Sequence, residues 1–135
     1  MSEAGLFIYE WIGVPHVYNG RDKTGVDCYG LVWLYYRDVL GIVLPDWNCA
    51  DSSRIWVTRF IEQKIQSHLK TIDAPQDHCI AFLRRKNMAS HVGVVYANGL
   101  LHCIENSSVV FQPLTIVRKI YGEFVFGVPA VETIE

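Results

Sequence analysis

The stretch HVGVVYANGLLHCIE, residues 91–105, reads as two strands folded back on each other. His91 to Ala97 and Leu100 to Glu105 are rich in apolar and β-branched residues, and Asn98-Gly99 between them is a two-residue hairpin signal. Working outward, Cys79 to Leu83, Val109 to Leu114 and Phe124 to Val128 also read as strands, with Asn106-Ser107-Ser108 as a turn. After Pro75 the period is therefore two; ahead of it the period is helical. Leu6 and Tyr9, with the neighbouring Phe7 and Trp11, suit a short helix from Ala4 to Ile12, stopped by Gly13 and Pro15. From Cys28 to Leu40 only Arg37 and Asp38 are charged, which predicts a helix that is apolar on most of its circumference, buried, and ended by Gly41. Ser52-Ser53 can cap a third helix that turns Ile55, Trp56, Phe60, Ile65 and Leu69 inward. Helices first and antiparallel strands second define an α+β domain.

Composition narrows the class. The chain has 135 residues, 50% hydrophobic and 19% charged, with a net charge of −2, which suits one domain over residues 1–135 with its own core. Arg84-Arg85-Lys86 is the longest basic run, so there is no footprint for nucleic acid or an anionic membrane. No apolar run approaches the ~20 residues of a membrane span. Glu3 stands where a secretory leader would be basic, and the apolar stretch from Gly5 to Tyr9 is too short for one. The chain is thus expected to be made in the cytoplasm without a signal peptide. Cys28, Cys49, Cys79 and Cys103 form no C-x-x-C pair and no zinc pattern, so free thiols and no metal are expected. Trp33, Tyr35, Tyr36, Trp47 and Trp56 are read as core rather than a sugar platform.

One constellation carries chemistry. Cys28 opens the buried helix with Asp27 as its N-cap, and unpaired N–H groups and the helix dipole at that point favour the thiolate. Gly30 costs the helix roughly 1 kcal/mol relative to alanine, so a backbone or a substrate must approach closely there. His91 is the candidate base, with Gly93 leaving room beside it. The structural alternative is a small buried thiol and a satisfied strand histidine. A third group should orient the imidazole. With Asn98-Gly99 as the turn, His91 lies opposite Asn106, and His102 is about 13 Å along the sheet, so turn arithmetic favours Asn106.

These residues resemble the NlpC/P60 family of cysteine peptidases, particularly the versions found in phage tail assembly and tail-tip proteins. The family's D-C-S-G-[FL]-V motif is matched by Asp27-Cys28-Tyr29-Gly30-Leu31-Val32, and its H-V-G-[IV] strand by His91-Val92-Gly93-Val94. Its P-G-D-[LI]-x-x-F approach is similar to the run from Pro75 to Phe82, and its [LI]-H-[AC] strand to Leu101-His102-Cys103. The resemblance implies a papain-like fold, N-terminal helices on a C-terminal antiparallel sheet. It implies Cys28 as nucleophile, His91 as base and His102, in place of Asn106, as the residue that orients the base. His16 stands where the family often has a tyrosine near the nucleophile, and is either an oxyanion donor or a loop residue. Tyr29 replaces the usual serine, which makes it, with Asp27, a candidate for shaping the substrate cleft. Gln76 replaces a glycine in a turn.

The activity so implied is hydrolysis of amide bonds in peptidoglycan stem peptides, commonly after D-glutamate and next to a diamino acid, with no metal or organic cofactor. The expected partners are that peptide substrate and phage tail-tip proteins, and the expected location is a virion tail. The alternatives are a catalytically silent tail-tip module and a papain-like amidase of the CHAP type.

Overall fold

A computed structural model describes residues 2–46, 68–85 and 88–129. Helix α1 (Glu3–Trp11) is capped by the Ser2 hydroxyl, which accepts from the Gly5 N–H at 3.0 Å. Its buried stripe is Ala4, Phe7, Ile8 and Trp11, spaced i, i+3, i+4, i+7, while Leu6 and Tyr9 face outward. The short helix expected over residues 4–12 is thus present, with Phe7 and Trp11 on its inner face. A small hairpin follows, β1 (Arg21–Asp22) with β2 (Gly25–Val26). Helix α2 (Cys28–Tyr35) runs into a π-helical turn (Tyr36–Leu40), and Gly41 ends it in the left-handed conformation at φ 69°.

Six strands make the main sheet: β3 (Leu69–Ile72), β4 (Ile80–Arg85), β5 (Met88–Tyr96), β6 (Gly99–Cys103), β7 (Val109–Pro113) and β8 (Glu123–Pro129). Their order is β3-β8-β4-β5-β6-β7, with every neighbour antiparallel. Helix α3 (Leu114–Tyr121) connects β7 to β8. Alternation along β4 divides the molecule in two. Ile80 and Phe82 pack with α1 and α2, whereas Cys79, Ala81 and Leu83 pack with Leu114 and Val117 of α3. The α+β class expected from the sequence holds, and no described helix is long and apolar enough to cross a membrane.

Two expectations are corrected and one helix is added. Leu69 belongs to strand β3, not to a helix; the remainder of that expected helix, with Trp47, Cys49 and Trp56, lies outside the described residues. Residues 114–121 form a helix that the alternation rule does not reveal. The hairpin turn is Ala97-Asn98, both at positive φ (48° and 61°), so Tyr96 pairs with Gly99 and Val94 with Leu101. Gly99 is needed inside β6, where an added Cβ would lie 2.5 Å from the Phe111 ring. A one-residue move of the turn shifts every cross-strand partner by two.

Candidate active site

Cys28 sits at the first turn of α2, half-buried, behind the Asp27 N-cap. The Asp27 carboxylate accepts from the N–H groups of Gly30 at 2.7 Å and Asn19 at 2.8 Å, and pairs with Arg21 at 3.1 Å. Arg21 also binds Asp46 at 2.9 Å, so the loop ahead of the helix is clamped onto it. Gly30 explains itself here: an added Cβ would lie 2.4 Å from the Gly20 carbonyl oxygen and 2.6 Å from Arg21 Nη1. The close approach is by backbone of the same chain. Tyr29 is buried and its hydroxyl donates to the Pro45 carbonyl, so it anchors Pro45 rather than lining a cleft. Asp27 is likewise a buried structural hub.

His91 and His102 come together from neighbouring strands. Continuing the β5–β6 register one step sets Gly93 opposite His102, and an added Cβ at Gly93 would lie 3.0 Å from the His102 Cβ. The missing side chain lets the His102 ring lean diagonally to His91, with His91 Nε2 and His102 Nδ1 2.7 Å apart. A one-residue register change between Leu83 and Arg84 places a bulge beside His91. The pair is buried, 6% and 0% exposed. His102 Nε2 contacts Gln112 Oε1 at 2.8 Å, and the Tyr121 ring stacks on His91 at 5.3 Å and 7°. Gln112 and Tyr121 were not singled out in the sequence; the diagonal register and helix α3 bring them in.

Asn106 does not take this place. It lies past the end of β6, in a turn at φ 59°, and the observed register gives the contact to His102. His16 bridges to Val26 and stacks edge-on with Tyr18 at 4.6 Å. Tyr18 in turn donates to Glu105, tying this loop to the end of β6.

Cys28 and the histidines come from elements that pack together, α2 against β5 and β6. The backbone N–H groups of Val92, next to His91, and of Tyr29 lie near enough to the Cys28 thiol to favour its ionised form. Among the described residues no hydrogen bond joins Cys28 to His91. Burial pushes the Cys28 thiol up, and the nearby Asp27 carboxylate adds to this, against the two N–H groups. Burial, with His102 and His16 beside it, holds His91 well below the ordinary histidine range. Burial lowers His102 as well, and its bond to Gln112 opposes the shift. The resting pair is therefore a neutral thiol and a neutral imidazole. Burial and the Asp27 charge thus act against the thiolate bias that the helix start favours. Among the described residues no group of three or more His, Cys, Asp or Glu is placed to hold a metal ion.

Fold and site together define an α+β domain with a cysteine at the start of a helix that packs on an antiparallel sheet, and a buried histidine pair on that sheet. The chain belongs to the NlpC/P60 family, whose profile matches residues 13–124. Its fold is similar to that of the NlpC/p60 domain of the peptidoglycan hydrolase SagA, at a TM-score of 0.63 and 19% identity over 93% of this chain and 97% of that one. It is also similar to an NlpC/P60 family protein from Bacillus cereus, at 0.64 and 19% over 93% of this chain. A lipoprotein-like NLP/P60 family protein from Staphylococcus aureus subsp. aureus gives 0.58 and 20% over 84% of this chain. The chain spans 38% and 35% of the lengths of these last two. Comparison with curated proteins gives no match.

Proposed function

We propose that the chain is a cysteine peptidase that hydrolyses amide bonds in peptidoglycan stem peptides, with Cys28 as nucleophile, His91 as base and His102 orienting the base. The observation that carries this reading is the buried 2.7 Å contact between the two imidazoles, on strands against which the cysteine-bearing helix packs. Since thiol and imidazole rest neutral, His91 works as a general base. The Cys28 S–H proton passes to His91 Nδ1 as sulfur attacks the amide carbonyl. The Cys28 backbone N–H at the helix start faces the oxyanion. Collapse of the tetrahedral intermediate breaks the C–N bond, and His91 returns its proton to the leaving amine. Water, deprotonated by His91, then splits the thioester to a carboxylate and restores the thiol.

Muropeptides incubated with the purified chain and resolved by mass spectrometry test this. The expected products are two peptide fragments, one with a new carboxylate and one with a new amine, and Cys28→Ala abolishes their formation. Fragments that form equally with Cys28→Ala overturn the reading. Release of intact stem peptide from the sugar establishes an amidase instead. A place in a phage tail, in contact with tail-tip proteins, extends the same reading and is supported by the motif resemblance alone. Antibody labelling of intact virions at the tail tip is the expected result; virions free of the chain overturn it.

The burial of both reacting groups favours a second reading, a tail module that keeps the fold without turnover. Absence of any muropeptide cleavage by the wild type, with the chain still bound to a tail, selects it.

A further inference from the structure

Gln112 stands one strand beyond the histidine pair. In the β6–β7 ladder it lies opposite Leu100, and His102 opposite Val110, so Gln112 and His102 are diagonal neighbours on one face. Three polar side chains thus cross β5, β6 and β7 in a row: His91, His102 and Gln112, joined at 2.7 Å and 2.8 Å.

The row has a direction. In the orientation seen here the Gln112 carboxamide turns its oxygen, an acceptor only, to His102, and this contact requires the hydrogen on His102 Nε2. A neutral imidazole carries one N–H; His102 Nδ1 is then an acceptor and takes the hydrogen on His91 Nε2. His91 is left with its lone pair on Nδ1. With a donor at position 112 every hydrogen in the row reverses, and His91 Nδ1 carries a hydrogen that bars it from taking the thiol proton.

We propose that Gln112 is a positioning residue that fixes the tautomer of His91 through His102, keeping His91 Nδ1 basic. Burial makes the relay obligatory: both rings rest uncharged, so each holds one proton, and almost no surface is left for water to substitute as a partner. The Tyr121 ring, stacked on His91 and edge-on to His102 at 6.1 Å, opposes the ring flips that would exchange the nitrogens. The value of the tautomer to catalysis rests on the peptidase reading; the tautomer itself does not.

Long-range proton–nitrogen correlation spectra of the full chain with 15N-labelled histidine, at pH 8, read the tautomers directly. Position 112 lies half-buried on the edge strand β7, so Gln112→Leu and Gln112→Glu leave both cores intact. Wild type and Gln112→Glu, which keeps an acceptor, are expected to hold Nε2–H on both rings, and Gln112→Leu to populate Nδ1–H. In the muropeptide assay Gln112→Leu should lower kcat about 10- to 100-fold with little change in KM, and Gln112→Glu should recover most of it. Nδ1–H on His91 in the wild type, or unchanged tautomers in Gln112→Leu, overturns the proposal. Tautomers as expected in a wild type that cleaves no muropeptide uphold the relay and overturn the peptidase reading.

Discussion

Replacing Gly30 with alanine drives a methyl group into the Gly20 carbonyl and the Arg21 guanidinium, both closer than van der Waals contact allows. The loop must move off Asp27, and we expect a loss of about 1–3 kcal/mol in urea unfolding, despite the better helix propensity of alanine. Cys28 makes the opposite kind of claim, since its reactivity is held back rather than raised. With the thiol pushed up by burial and by Asp27, iodoacetamide alkylation of Cys28 should climb steadily with pH through 9 and show no plateau near 7. Mass-spectrometric mapping of the labelled cysteine checks this; a rate already at its maximum at pH 7 contradicts it. Of these two features the sequence exposed one better than the other. A glycine in a helix announces close packing. Burial of a sulfur depends on everything folded around it.

Residues 114–121 show why an element escapes a pattern-based reading. Thr115, Ile116, Val117 and Ile120 are β-branched and suit a strand locally, but the buried positions Leu114 and Val117 are three apart and fit only a helix laid on the sheet. Tertiary contact decides, and with it comes Tyr121. The hairpin failed differently. Its existence and both strands were legible in residues 91–105, yet Asn98-Gly99 drew the turn one residue too late, because Gly99 is reserved for the ring of Phe111. That single residue separates Asn106 from His102 as the partner of His91, so the motif resemblance located the histidine pair where turn arithmetic did not. The turn is also suboptimal, with alanine in the left-handed region at Ala97. The double change Ala97→Asn and Asn98→Gly installs the preferred pair for this turn and should add about 0.5–1 kcal/mol, read as a higher urea midpoint at an unchanged m-value.

Two cores share one sheet, and Phe82 and Leu83 are successive residues on opposite faces of β4. Phe82→Ala is expected to cost about 3–5 kcal/mol and Leu83→Ala about 2–5, each in one cooperative transition, as circular dichroism and tryptophan fluorescence together would show. Acid stability follows from the histidine pair. Folding lowers the proton affinity of both rings below their ordinary value of 6.5, so the unfolded chain protonates first as pH falls. Stability is full above about pH 6.5 and declines below it by up to about 1.4 kcal/mol per pH unit for each ring, until the folded values are passed. Melting temperatures from pH 7.5 to 5 should fall, and His102→Asn should flatten the slope. Time enters as well. The contact between His91 and His102 spans 11 positions of chain, whereas that between Cys103 and Val26 spans 77. Loop closure over the short span is quick and the hairpin can form in about 1–10 μs, long before the distant N-terminal half is in place. The two imidazoles are thus a local product of the chain, whereas the docking of the cysteine-bearing helix on the sheet belongs to the slower, topologically demanding stage of folding.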